Sequence, residues 1–332
     1  MKISIIIPVY QAEQYLPQMI RSVVAQTYPH WQLVLVVDGA TDRSAAICRS
    51  YAQGDPRIVV LEQTNQGAGA ARNHGLAHAT GDCVCFADSD DWMEPDMLQC
   101  MADTMTDYDA DIVVTGYYNE YANSSKAVAN DGNVAILNRD DALLASLSNK
   151  LHSYLWRMLF RRQLLREPMS NSRRYEDLTT IFQWMSHANR IVCLNRALYH
   201  YRQVGTSLMH TGDSYDNNSD RLQALQTRMG YIQANHLLEH HQQEVNGLYL
   251  RELIKMAKDF SRSNSPYDQK KRFVEMIMDK AKPIAHVAHR QLGWKRAIRF
   301  MMMRWSIPMF IRVTQFSGRF AKRCGRQRHQ LY

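Results

Sequence analysis

The chain has 332 residues, 45% of them hydrophobic, which is enough to bury a large core and to form one big domain with a smaller appendage. Its formal net charge of +8 is uneven: residues 280–332 hold thirteen Lys or Arg and no Asp or Glu, which leaves 27 basic against 32 acidic residues over the first 279. The six cysteines lack zinc-site spacing, no apolar run approaches the ~18–20 residues that span a bilayer, and the opening Met1-Lys2-Ile3 leads into a strand with no signal-peptide pattern, so a reducing cytosolic setting is expected.

The first hundred residues alternate strand and helix. Ile3–Val9 is a continuous apolar strand of the kind buried on both faces, ended by Pro8. Glu13–Gln26 places Leu16, Ile20, Val23 and Val24 at helical spacing. Gln32–Val37 is a second strand, Asp42–Tyr51 a second helix with Thr41 or Asp42 as its cap, Ile58–Leu61 a third strand, Gly69–His78 a third helix, and Asp82–Ala87 a fourth strand. Such alternation predicts an α/β fold, a mainly parallel sheet with helices on both faces.

Farther on, the pattern from Asp111 is strand-like and then irregular, and Ala142–Leu165 is mixed or helical. Tyr175–Ala188 reads as an amphipathic helix. Ile191–Cys193 and Ala197–Tyr201 read as two short strands, and the chain beyond His210 as helical.

Parallel sheets bind ligands at the carboxyl ends of their strands, and the polar motifs sit there. Three carboxylates, Asp88, Asp90 and Asp91, fall within four residues after the fourth strand. Two readings are open: a divalent ion held by oxygen ligands with a phosphorylated substrate completing its shell, or a solvated turn that caps a helix. Asp38 beside Gly39 can accept from a base such as uracil, or can be a plain turn residue. Gln66-Gly67 opens the third helix, whose N-terminus suits phosphate oxygens, and Arg72 one turn in would neutralise a diphosphate.

The ordered set Ile5–Tyr10, Gln26-Thr27-Tyr28, Val36–Gly39, Asn65-Gln66-Gly67, Ala71-Arg72-Asn73, Gly75-Leu76 and Phe86–Trp92 resembles the family-2 glycosyltransferases of bacterial surface polysaccharide and lipopolysaccharide core assembly. The resemblance covers residues 1–100 and continues more weakly to about 210. It implies a GT-A fold with residues 1–110 as the nucleotide-sugar half, 111–210 as the acceptor half, and 211–332 as a C-terminal helical region. It also implies a UDP-sugar donor, a divalent Mn²⁺ or Mg²⁺ ion, and a lipid-linked or lipopolysaccharide glycan acceptor.

By that resemblance Pro8, Tyr10 and Asp38 hold the uridine, Asp88-Ser89-Asp90 is the DxD run, Asp90 touches the metal directly, and Asp88 meets the ribose or a metal-bound water. Asp177 of the pair Glu176-Asp177 matches the base that deprotonates the acceptor in an inverting transfer. Asp91 is left to cap the segment that starts at Trp92. Trp156 is either a floor for the acceptor sugar or a core residue, and His210 a late metal ligand or a structural residue. Val37 and Ala40 depart from the family pattern, in which Asp and Ser are usual.

In the tail, Gln291–Thr314 sets Leu292, Trp294, Ile298, Met301, Met302 and Trp305 among Lys295, Arg296, Arg299, Arg304 and Arg312. That composition suits a helix lying in an anionic membrane interface, through residues 280–332, on the inner face of a bacterial inner membrane. The bland alternative is a helix packed on the body with its basic side in water. No nucleic-acid motif accompanies the charge. The alternatives in enzyme class are a sugar-phosphate nucleotidyltransferase, for which no triphosphate loop follows the first strand, and a non-catalytic glycan-binding relative.

Overall fold

In the computed structural model the chain divides into two compact units, Met1–Ser207 and Leu208–Tyr332. The structure describes residues 1–129, 134–170, 175–203, 214–285 and 292–328, with side chains as far as 317. His210 and parts of the basic tail, 286–291 and 329–332, lie outside the described residues.

In the first unit, β1 (Ile3–Val9), α1 (Leu16–Val24), β2 (Trp31–Asp38), α2 (Ser44–Gly54), β3 (Ile58–Gln63), α3 (Ala68–His78) and β4 (Cys83–Phe86) alternate as the sequence predicts. Then come β5 (Trp92–Met93), α4 (Met97–Asp107), β6 (Ile112–Tyr121), β7 (Ser124–Val128), β8 (Ala135–Asn138), α5 (Arg139–Leu147), β9 (Met158–Arg161), α6 (Glu176–Ser186) and β10 (Arg190–Arg202). They form one mixed sheet in the order β3-β2-β1-β4-β9-β6-β10-β5, with β7 added to β6 and β8 to β10. The four N-terminal strands are parallel, as are β6 and β10. β9 runs antiparallel between β4 and β6 and joins the two parallel sets.

Burial follows the two-residue period of the strands. Ile3, Ile5, Ile7, Leu33, Leu35 and Val37 face the helices α1, α2 and α4. Val37, where the family pattern usually has Asp, points into that apolar layer and is buried. Ile6 and Val36 point the other way, onto α3. A Cβ on Gly75 would sit 2.5 Å from Ile6 Cγ2 and 3.1 Å from Val36 Cγ2, so only glycine lets α3 approach this closely. On the same face α6 is anchored by Trp184, fully buried and stacked on Phe86 at 5.7 Å.

Several expectations are corrected. Residues 158–161 form a strand, because Met-Leu-Phe is held between two strands rather than on a helix face. The two short strands predicted at 191–201 are one strand, β10, interrupted by register shifts between Cys193 and Tyr199. The two-residue β5, not a helix, follows Asp91, and α4 begins only at Met97. Helix α1 is shorter than its apolar period suggests.

The second unit is helical: α7 (Tyr215–Ala234), α8 (Gln242–Ser261), α9 (Tyr267–Ala281), α10 (Trp294–Trp305) and α11 (Ile307–Arg328). α8 and α9 pack through an edge-on Phe260–Phe273 pair at 4.8 Å, with Tyr215 of α7 against both rings. α10 and α11 each pack on α8 and α9.

Candidate active site

The carboxyl ends of β1, β2 and β4 meet the N-termini of α3 and α6. After β2 the chain turns through Gly39 at φ +68°, where a Cβ would lie 2.7 Å from the Asn65 amide nitrogen. Asp38, 2% exposed, accepts from Gln63 Nε2 at 2.8 Å and from the Gln66 and Gly67 N–H groups at 2.9 Å each. Its carboxylate therefore shapes the Gln66-Gly67 loop in this structure, a task that the base-binding expectation did not foresee. Tyr10 stands 55% exposed at the end of β1, next to part-buried Pro8, with Gln66 and Gly67 exposed at the end of β3.

Arg72 lies on the first turns of α3 and is buried. Its Nη2 donates to Asp88 Oδ1 at 2.8 Å and its Nη1 to Glu176 Oε1 at 2.9 Å. Burial works against the guanidinium charge, but Asp88 and Glu176 outweigh it and hold the group above its ordinary range. Its Nε is buried and has no hydrogen-bond partner among the described residues. In this structure the guanidinium bridges the Asp88-Ser89-Asp90 run and α6.

Two neighbours on α3 make the same junction. A Cβ on Gly69 would come within 2.6 Å of the Ser170 carbonyl oxygen. Asn73 exchanges hydrogen bonds with Met169, Nδ2 to the carbonyl at 3.0 Å and the Met169 N–H to Oδ1 at 2.8 Å. Gly69 and Asn73 thus dock the 169–170 segment that leads toward α6.

That helix starts under strain, since Tyr175 at its N-cap has φ +61°, a left-handed conformation costly for a bulky residue. Glu176 and Asp177 occupy its first turn. Asp177 Oδ1 accepts from the Leu178 N–H at 2.7 Å. Its carboxyl is pushed up to about 7, first by burial and then by the charge of Glu176, with Arg72 pulling the other way. A carboxyl poised near neutrality suits proton transfer at physiological pH.

After β4, part-buried Asp88, Ser89 and Asp90 turn over a buried polar clasp. The Tyr199 hydroxyl accepts from the Asp88 N–H at 3.0 Å and donates to Asp91 Oδ2 at 2.9 Å. Asp91 Oδ1 accepts from the Arg202 N–H at 2.8 Å, and Arg202 Nε donates to the Asp90 carbonyl at 2.7 Å. The Arg202 guanidinium also lies 4.6 Å above the rings of Trp92 and Tyr15. Asp91 is fully buried, so its expected helix-cap role is corrected: it braces the DxD turn from beneath. Burial, then Asp88 and Asp90, push its carboxyl well above the usual carboxylate range.

Asp90 is pushed up to about 6, first by burial and then by Asp88. Hard oxygen donors crowded until they resist ionising fit a divalent cation, whose charge would relieve both effects. Among the described residues no three His, Cys, Asp or Glu form a closed cage. Trp156 is 6% exposed and stacked on Tyr154, Tyr199 and Tyr201 at 5.0, 4.7 and 5.2 Å. It is a core residue rather than an open sugar floor.

A doubly wound parallel half joined through an antiparallel strand to a second parallel pair is the GT-A architecture. The glycosyl transferase family 2 model matches residues 4–167. Glycosyltransferase GlyA of Streptococcus pneumoniae is 44% identical over 118 residues, 36% of this chain and 17% of GlyA. TuaG of Bacillus subtilis, named provisionally as a teichuronic acid biosynthesis glycosyltransferase, is 32% identical over 215 residues, 62% of this chain and 81% of TuaG. Residues 1–349 of S. aureus TarS, solved in complex with UDP, match with TM-score 0.77 at 20% identity over 97% of this chain and 92% of that one. TarS solved with UDP-GlcNAc matches with the same TM-score, 0.77. The chain belongs to glycosyl transferase family 2, and its first unit has the GT-A fold.

Proposed function

We propose that the protein is an inverting glycosyltransferase that moves a hexose-type sugar (glucose, galactose, glucuronate or N-acetylhexosamine) from a UDP-sugar to a surface-polysaccharide acceptor. The observation that carries this reading is the bridge Asp88–Arg72–Glu176. It ties the turn suited to a diphosphate and its cation to the helix that presents Asp177. Donor and base are thereby held on one frame, as a displacement at a sugar carbon requires.

Tyr10, beside Pro8, would stack on the uracil, while Asp38 keeps the Gln66-Gly67 loop open beneath the nucleotide. Asp88, Ser89 and Asp90 would serve the ribose, the diphosphate and a Mn²⁺ or Mg²⁺ ion. When bound, that ion would stabilise charge on the departing UDP. Asp177 takes the proton from the acceptor hydroxyl. The freed oxygen attacks the anomeric carbon from the side opposite UDP, one carbon–oxygen bond forming as the bond to the diphosphate breaks, so the configuration inverts.

For the acceptor, support comes from TuaG and its provisional assignment to teichuronic acid biosynthesis. We assign a lipid-linked glycan of the lipopolysaccharide core, O-antigen or capsule class, met by a peripheral enzyme on the inner face of the inner membrane. UDP release from a panel of UDP-sugars, with and without Mn²⁺, tests the donor class. One UDP-sugar should be turned over at least about tenfold faster than the rest and only with the metal. Release of pyrophosphate from a nucleoside triphosphate and a sugar phosphate would instead favour a nucleotidyltransferase.

A further inference from the structure

We infer that the exposed apolar stripe of α10 and α11 is a docking face for the interface of an anionic lipid bilayer. At ~100° per residue, Trp294, Ile298, Met301 and Trp305 fall within one ~60° arc of α10. They are 70%, 44%, 53% and 86% exposed. Phe300 and Met303, on the opposite side of the helix, are buried. α11 repeats the arrangement, with Met309, Val313 and Phe316 outward at 43%, 47% and 73% and with Phe310, Ile311 and Thr314 buried. Each helix is anchored to α8 and α9 by one face and carries a second apolar face pointing away from them.

A helix needs only one apolar stripe to hold a bundle together. A second, built from two Trp and a Phe, needs another partner. The charge around it selects which. Lys295, Arg304 and Arg312 are exposed beside the stripe, and residues 280–332 contain no acidic residue. A second copy seated on this face would bring these cations together without counter-charges, whereas anionic headgroups supply them. Trp at both ends of α10 suits the headgroup boundary. Among the described residues no helix is long and apolar enough to cross a membrane, so the helices lie in the interface plane.

The inference rests on the proposed function only for its purpose, since a lipid-carried acceptor is where such an anchor helps. The binding is measured without any sugar. The full chain is floated with vesicles of phosphatidylcholine alone and with vesicles containing phosphatidylglycerol, at low and high salt. Wild type should bind the anionic vesicles. The triple variant Trp294→Ser, Trp305→Ser, Phe316→Ser should bind at least about tenfold more weakly. Arg304→Glu with Arg312→Glu should lose the salt-sensitive part of the binding. UDP release with a soluble acceptor in detergent should be unchanged in all of them, which separates this face from the reaction.

Should the triple variant misfold, quenching of Trp fluorescence by brominated acyl chains gives a second reading. It should be strong in wild type and reduced in the conservative pair Trp294→Phe, Trp305→Phe. Absence of wild-type binding, or undiminished binding by the folded triple variant, overturns the proposal. So does a wild-type dimer in sedimentation that the triple variant dissolves, because a second copy would then cover the stripe.

Discussion

Arg72 and Glu176, 104 positions apart in the chain, meet at 2.9 Å, and the second Nη of the same guanidinium reaches Asp88 at 2.8 Å. One buried cation thus joins the end of β4 to the start of α6. Neither carboxylate is far from solvent, but the guanidinium between them is enclosed, with one Nη committed to each.

Arg72→Lys tests that bridge. Lysine keeps the charge but lacks the planar fork that spans two carboxylates. We expect kcat/KM to fall at least about tenfold, and stability to fall by about 1–3 kcal/mol as one carboxylate is left unpaired. Steady-state kinetics and urea denaturation read the two effects separately.

The pH profile follows from Asp177. A base works ionised, so transfer should rise with pH through about 7 and level off above it. Asp177→Asn should lose that inflection and about 10²–10³ in kcat. Stability has the opposite sign. The folded-state carboxyl lies above the ~3.9 of an unfolded Asp, so its contribution is full below about pH 4 and is lost as pH rises through about 7. The Asn variant without ligands should therefore match wild type in Tm near about pH 4 and exceed it near about pH 8.

Asp90 gives a metal prediction. Its carboxyl, pushed up to about 6, has to lose its proton for a cation to bind well. Mn²⁺ with UDP should therefore raise Tm more at about pH 7.5 than at about pH 5, by calorimetry. Asp90→Asn should abolish most of that increment while leaving the ligand-free Tm equal or higher.

Tyr199→Phe removes one hydroxyl and leaves two buried groups, the Asp88 N–H and Asp91 Oδ2, without that partner. A loss of about 1–3 kcal/mol in urea denaturation is expected, together with weaker binding of UDP through the loosened turn. Gly69→Ala should be costlier than an ordinary Gly-to-Ala change in a helix, because its methyl would press on the Ser170 carbonyl oxygen at 2.6 Å.

The features legible in the sequence are those written locally. The apolar runs of β1 and β2 announce a sheet covered on both faces, and Asp88-Ser89-Asp90 announces crowded charge at a strand end. The partners of those residues were not legible. Nothing near Arg72 in sequence points to Glu176, and nothing near Asp91 points to Tyr199, because β9 and β10 bring them in from a hundred residues away. Without that partner in view, Asp91 beside Trp92 reads as a helix cap. β9 is illegible because three apolar residues, Met158 to Phe160, are too few to show a period. The Gly69 and Asn73 side of α3 carried a usable signal, a small residue and an amide one turn apart, but that signal marks close packing as readily as ligand binding.

The most direct test of the account separates donor binding from chemistry at two carboxylates. UDP-sugar binding is titrated calorimetrically with Mn²⁺ present, and transfer is assayed on the same preparations. Asp177→Asn should bind donor as wild type does and transfer at least about 10²-fold more slowly, while Asp90→Asn should lose metal-dependent binding itself. Full transfer by the Asp177→Asn enzyme, or unaltered metal-dependent binding by Asp90→Asn, would contradict the roles assigned to the two ends of the Arg72 bridge.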